Sequence, residues 1–291
     1  MENLHLLFNK TLYDDLSVDD DGNVSLKNAK EKSERITNAA FYEKEYIVPP
    51  AGADTFCLKT QYPGLLMGTG YAHGISDNED VKIGFSFDYV TGQPYIPGSS
   101  VKGVIRSIFD KTAVIAELLK DNDSAFPEDL NDSDKEKVIE ALKNDIFENR
   151  DVFLDSVVKK ADSLNKVVGF DSITPHSSPE KNPVPLKIVK VLPDVVFEFR
   201  FILHDTEITV GGYDYKITKG KKKFLFKTII KEFGIGAKTN VGYGYLTDVS
   251  ECDSAKKQGN QKADTVAQNK SFEPAKGKNT GRTTLKGFDA L

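Results

Sequence analysis

Apolar residues along this chain repeat with two different periods. Val101, Val104, Ile105 and Ile108 stand at i, i+3, i+4 and i+7, which puts them on one stripe of a helix. Pro97 precedes that helix, and Ser99 or Ser100 is placed to cap it. The stretch KGKKKFLFKTIIKEF (219–233) repeats the helical spacing through Leu225, Phe226, Ile229, Ile230 and Phe233. Short runs at 56–62, 152–158, 183–192, 195–203 and 241–249 read instead as strands. A further helix is expected near 27–44, and PPAGADT (49–55) breaks the chain after it. Residues 63–85 read as a long glycine-bearing loop, and 169–184 as a polar, proline-rich excursion.

Strands flanking two helices predict an α+β fold, with helices packed on an antiparallel sheet. The order fits a ferredoxin-like βαββαβ unit whose helices are 99–109 and 220–233. Residues 110–155 carry two more amphipathic helices, one with Val114, Ile115, Leu118 and Leu119, the other with Val138, Ala141, Leu142 and Ile146. They form a helical insertion at about 110–150. Residues 251–291 lose apolar density and read as a flexible, disordered tail. The expected organisation is a domain over 1–250, with an N-terminal extension and this insertion, followed by the tail.

Composition adds limits. The 291 residues are 39% hydrophobic and 29% charged, as in soluble globular proteins. No apolar run approaches the ~20 residues that cross a membrane, and no secretory leader is recognisable, so a cytoplasmic location and no membrane partner are expected. Cys57 and Cys252 stand far apart in sequence and match neither a disulfide framework nor a CxxC pair, so a reducing compartment is expected. His5, His73, His176 and His204 are scattered, without metal-ligand spacing, so no metal and no cofactor are expected.

Net charge is −5, but it is unevenly spread. Residues 110–155 hold fourteen acidic and six basic side chains. Residues 216–240 hold eight lysines and one glutamate. A chain polarised in this way can bind a polyanion with one face.

The basic stretch runs into EFGIGAKTNVGYGYL (232–246), which holds four glycines, Lys238 and two tyrosines. A Walker loop would need its glycines and lysine at G-x-x-x-x-G-K-[ST] spacing, between a strand and a helix. Here the spacing fails and the order is helix to strand. The dinucleotide fingerprint fails as well, because Thr239 stands where a third glycine is required. A helix stop accounts for Gly234 but leaves Gly236, Gly242 and Gly244 unexplained.

Two stretches together carry a resemblance. PYIPGSSVKGVIRS (94–107) and GIGAKTNVGYGYL (234–246) resemble the motifs of the RAMP superfamily, the repeat-associated subunits of type III CRISPR effector complexes. DSITPHSSPEKNPVPLKIVKV (171–191) narrows the resemblance to the sixth subunit of the Cmr (type III-B) complex. The resemblance covers roughly 56–250. It implies an RRM-like fold and a non-catalytic, RNA-binding backbone subunit engaged in antiviral defence. The implied partners are CRISPR RNA, its complementary target RNA and other Cmr subunits. It places RNA contacts at Ser99, Ser100, Lys102, Arg106, His176, Gly234, Gly236, Lys238, Thr239, Asn240, Gly242, Tyr243 and Gly244. Backbone N–H groups of a glycine loop bind phosphate without reading bases, which suits a guide of variable sequence.

Blander readings stand beside these. Lys223, Lys227 and Lys231 fit a solvated helix face, and Tyr243 fits core packing. Asp88 and Asp171 lack a second carboxylate at useful spacing. His73 keeps open a metal-independent endoribonuclease that processes CRISPR RNA, with histidine as general base. A protein-bridging subunit with little RNA contact is the third reading.

Overall fold

The run VVFEFRFIL supplies the central strand. Its period of two sends Phe197, Phe199 and Phe201 to one face, where each is fully buried. Glu198 and Arg200 alternate with them and are also buried, 2.6 Å apart in an ion pair. Buried charges are retained when paired.

In this computed structural model the described residues are 2–22, 24–42, 48–71, 81, 83–120, 130–174 and 185–249. They belong to one compact unit, Met1–Cys252. Before the sheet come helix α1 (Leu4–Asn9), strands β1 (Leu16–Val18) and β2 (Val24–Leu26), and helix α2 (Ala29–Asn38). Then follow strands β3 (Asp54–Thr60), β4 (Gly68–Tyr71), β5 (Ile83–Phe85) and β6 (Tyr95–Ile96), and helices α3 (Gly98–Phe109), α4 (Thr112–Lys120) and α5 (Asp132–Asn144). A π-helical turn, Asp145–Asn149, leads into β7 (Val152–Lys160). The chain continues through β8 (Val168–Ile173), β9 (Leu186–Val191), β10 (Val196–Ile202), β11 (Thr206–Val210), β12 (Tyr213–Ile217), α6 (Lys219–Phe233) and β13 (Leu246–Asp248).

The fold is α+β with antiparallel strands. The main sheet has the order β13-β3-β10-β7-β6, with every neighbouring pair antiparallel. Phe56 of β3 stacks on Phe199 and Phe201 of β10. Phe226 of α6 packs against Phe153 and Phe201 on the same face, and α3 packs against β7 and α6. Burying each such ring contributes on the order of 1.5–3 kcal/mol.

Helix α6 begins where the Thr218 side chain accepts a hydrogen bond from Lys221 N–H, and it stops at Gly234, whose N–H donates to the Ile230 carbonyl. Gly234 has φ +72°, a conformation that favours glycine after a helix. Helix α5 is capped by Asn131, which accepts from Asp134 N–H. It buries Val138, Ile139 and Leu142, turning its acidic side outward.

Several expectations need correction. Of the excursion expected over 169–184, residues 169–173 belong to strand β8, paired in register with β9, and 175–184 lie outside the described residues. The predicted strand over 241–249 is reduced to Leu246–Asp248, because Thr239–Val241 forms a single 3-10 turn. The helix expected near 27–44 is confined to Ala29–Asn38. The hairpin β11–β12 has no counterpart in the predicted strands. Its strands alternate buried Ile208 and Tyr215 with exposed Glu207 and Asp214, around a Gly211-Gly212 turn. The tail 251–291 lies outside the described residues.

Candidate functional site

The two motif stretches, more than 120 residues apart in sequence, come together in space. A cleft of about 290 Å³ is lined by Ile96, Pro97, Ser100 and Val104 from the first and Ile235, Gly236 and Ala237 from the second. Leu66, Met67, Gly68 and Ser86 complete its wall.

The glycine loop is built against residues 61–66. Ala237 N–H donates to the Leu66 carbonyl at 2.9 Å, and Gly244 N–H donates to the Gly64 carbonyl at 2.8 Å. Ile235 N–H donates to the Gly244 carbonyl at 2.9 Å, and Gln61 N–H to the Tyr245 carbonyl at 3.0 Å. These close approaches require glycine. A Cβ on Gly244 would sit 2.0 Å from the Ile235 carbonyl oxygen, and one on Gly236 would sit 2.3 Å from that of Leu66. Both also have positive φ, +80° and +91°.

The glycines therefore divide between two jobs. Gly234 and Gly244 close the loop on itself, and their N–H groups are spent within the protein. Gly236 begins an exposed crest that continues through Ala237, Lys238, Asn240 and Val241. Among the described residues, the N–H groups of Gly236, Lys238, Thr239 and Asn240 have no acceptor. Val241 and Gly242 N–H groups are used within the 3-10 turn. Lys238 itself sits in the left-handed region at φ +59°, an uncommon conformation for a side-chain-bearing residue. Such outliers concentrate at functional sites.

The helix start at 98–100 is arranged differently from the expectation. Helix α3 begins at Gly98, and neither Ser99 nor Ser100 caps it with its side chain. Asp155 of β7 does so instead, accepting from Gly98 N–H at 2.8 Å. The positive end of α3 thus already faces a carboxylate. Ser99 and Ser100 lie in the first turn, exposed, with Ser100 on the cleft wall.

Lys102 and Arg106 point into the acidic insertion. Lys102 Nζ donates to the Phe147 carbonyl at 2.5 Å. Arg106 pairs with Glu148 at 2.8 Å and lies over the Phe147 ring. Tyr243 is buried rather than on the surface, with its hydroxyl donating to Asp171 at 2.7 Å. Burial and that bond push its pKa up to about 12. For Asp171, burial works upward, but hydrogen bonds from Lys190 and Tyr243 outweigh it and hold the carboxyl below its usual range. His176 and His73 lie outside the described residues.

The basic stretch loses much of its charge to internal partners. Lys216 pairs with Asp205 and Glu207, Lys219 with Asp54, and Lys227 and Lys231 with Asp248. Lys222 is wholly buried between Asp151 and Asp145. Among the described residues Lys223 and Lys238 have no acidic partner, and Lys238 is exposed on the crest. Also among the described residues, no group of three or more metal-ligating side chains converges, and no helix is long and apolar enough to cross a membrane.

A model of the RAMP superfamily matches residues 57–247, spanning both walls of the cleft. The CRISPR system Cmr subunit Cmr6 of Pyrococcus furiosus is 25% identical over 211 residues, covering 54% of this chain and 58% of that protein. Among solved structures, a type III-B Cmr-beta complex bound to cognate target RNA aligns over 75% of this chain and 69% of the matched chain, at 21% identity and a TM-score of 0.48. The crystal structure of Cmr6 from Pyrococcus furiosus aligns over 68% of this chain and 97% of its own, at 21% identity and a TM-score of 0.40. With the family model matching well over half of its length, the chain belongs to the RAMP superfamily.

Proposed function

We propose that this protein is a non-catalytic RNA-binding backbone subunit of a type III-B CRISPR Cmr complex. It holds the 3′ part of the guide RNA and its paired target through contacts that ignore base sequence. The similarity to Cmr6 supports the assembly. The strand order β13-β3-β10-β7, with α3 and α6 between the appropriate strands, supports a ferredoxin-like unit as the scaffold.

One observation carries the RNA reading. The crest 236–241 presents four N–H groups without an acceptor among the described residues, next to an exposed lysine with no acidic partner among them, at the rim of the cleft where both motifs meet. Amide donors and one ammonium suit phosphate and ribose oxygens and carry no base information. Asp155 already occupies the start of α3, which leaves the crest as the element that meets phosphate.

The test is to tag the full chain in its native host and recover whatever assembles with it. The expected result is a set of related subunits with one short RNA, and ultraviolet crosslinks from that RNA to the peptide containing Lys238. Recovery without RNA, or crosslinks confined to α4 and α5, would refute the reading. Specific cleavage of repeat RNA by the purified chain in EDTA would favour a processing endoribonuclease instead.

A further inference from the structure

The crest offers phosphate contacts but no surface for a base, since Tyr243 is buried with its hydroxyl held by Asp171. A neighbouring ring is free. Tyr62 is 86% exposed, the most exposed of the large apolar and aromatic side chains described. It stands in the turn to which the glycine loop is fastened. Gln61 N–H bonds the Tyr245 carbonyl on one side of it, and the Gly64 carbonyl accepts from Gly244 N–H on the other. A Cβ on Gly242 would lie 3.6 Å from Pro63 Cδ, which fixes how near this turn is to the crest's end. Tyr62 is also close enough to contribute to the upward push on the Tyr243 hydroxyl. Val241, 66% exposed, adds an apolar edge to the crest.

We infer that Tyr62 is a stacking platform for a nucleobase of the RNA strand whose phosphates lie on the 236–241 crest. The backbone on both sides of Tyr62 is held by hydrogen bonds, so the place from which the ring projects is set before any strand binds. Stacking tolerates any base, because every base has a π-face, and this matches the sequence-blind contacts of the crest. The lysine and amide donors of the crest, without partners among the described residues, favour an anionic strand over an apolar protein segment.

Tyr62 has this role only if the crest binds RNA as proposed above, so the test separates the two. The full chain is titrated with short single-stranded RNAs of two unrelated sequences, and with an abasic RNA of equal length. Tyr62→Ala is expected to weaken both base-bearing RNAs by roughly fivefold or more and to leave abasic RNA unchanged. Tyr62→Phe should retain binding. Lys238→Ala should weaken all three. If Lys238→Ala acts and Tyr62→Ala does not, the stacking role is wrong and the crest stands. If Tyr62→Ala instead loses co-purifying subunits with RNA affinity intact, the ring is a protein contact and the inference falls. If the wild-type chain binds none of the RNAs, both readings fall. Unchanged melting of Tyr62→Ala, expected for so exposed a side chain, keeps these outcomes free of folding effects.

Discussion

Lys222 and Lys238 stand near the two ends of one lysine-rich stretch, and the structure puts them to opposite uses. At the base of α6, Lys222 is fully buried and its ammonium lies 2.5 Å from Asp151 and 3.3 Å from Asp145. These acids come from the end of the helical insertion and the start of β7. Asp145 also accepts from Thr206 of β11 and from Arg150, so one cluster, buried at Lys222 and open at Arg150, joins α6, the insertion and the β11–β12 hairpin. Past the far end of α6, Lys238 is exposed and, among the described residues, has no acidic partner and stands among amide groups without acceptors. A run of lysines in sequence is thus not a basic surface. Available charge is what remains after internal pairing, and among the described lysines of this stretch it remains at Lys223 and, exposed on the crest, at Lys238.

The comparison can be broken most forcefully at Lys222. Removing one partner of a buried ion pair leaves the other charge uncompensated, which costs about 3–5 kcal/mol. Lys222→Met should therefore lower unfolding free energy by that order in a denaturant titration, whereas Lys238→Ala should stay within about 0.5 kcal/mol of wild type. Equal effects would erase the distinction between the two regions.

The crest depends on the closed half of the glycine loop. Gly244→Ala places a Cβ 2.0 Å from the Ile235 carbonyl oxygen at φ +80°. The backbone must shift, at a cost of about 2–4 kcal/mol. Thermal unfolding should show that loss, and RNA affinity should fall with it. Full stability for this variant would mean the loop adapts freely and the crest is not preformed.

A smaller effect comes from acid. Burial alone would raise the Asp145 carboxyl, but bonds from Thr206, Arg150 and Lys222 hold it below the usual range. Asp248 is held low by hydrogen bonds from Lys227 and Lys231. A lowered folded pKa stabilises above the unfolded value of ~3.9 and is lost as pH falls through the folded value. The melting temperature should therefore decline below about pH 4, and Asp248→Asn should flatten part of that decline. An acid limb identical in wild type and Asp248→Asn would show that the lysines of α6 are not engaged as described.

Helices α3 and α6 and strands β3 and β10 were legible in the sequence because their apolar spacing is set by burial against one core. Strand β8 was not, since its polar residues resemble a loop until the pairing with β9 is known. The β11–β12 hairpin carried an overlooked cue, Gly211-Gly212 between alternating runs. The two motif stretches line one cleft, but their spacing does not say how their groups are spent. Asp155 caps a helix 57 residues away, and Asp171 claims the Tyr243 hydroxyl from 72 residues away, so no local pattern could foretell either contact. Tyr62 had no motif around it. Its role follows from exposure and from the bonds that hold the neighbouring backbone.

The central claim is that the 236–241 crest, not the lysine-rich helix, supplies the electrostatic contact to RNA. The salt dependence of affinity tests it most directly, with Lys238→Ala set against Lys227→Ala, whose ammonium lies 2.7 Å from Asp248 in the native chain. For single-stranded RNA each phosphate contact contributes about 0.7 to the slope of log affinity against log salt. Lys238→Ala should lower the slope by about that amount, equally for unrelated sequences, and Lys227→Ala should leave it unchanged. A slope unaffected by Lys238→Ala but reduced by Lys227→Ala would place the RNA on the helix and contradict it.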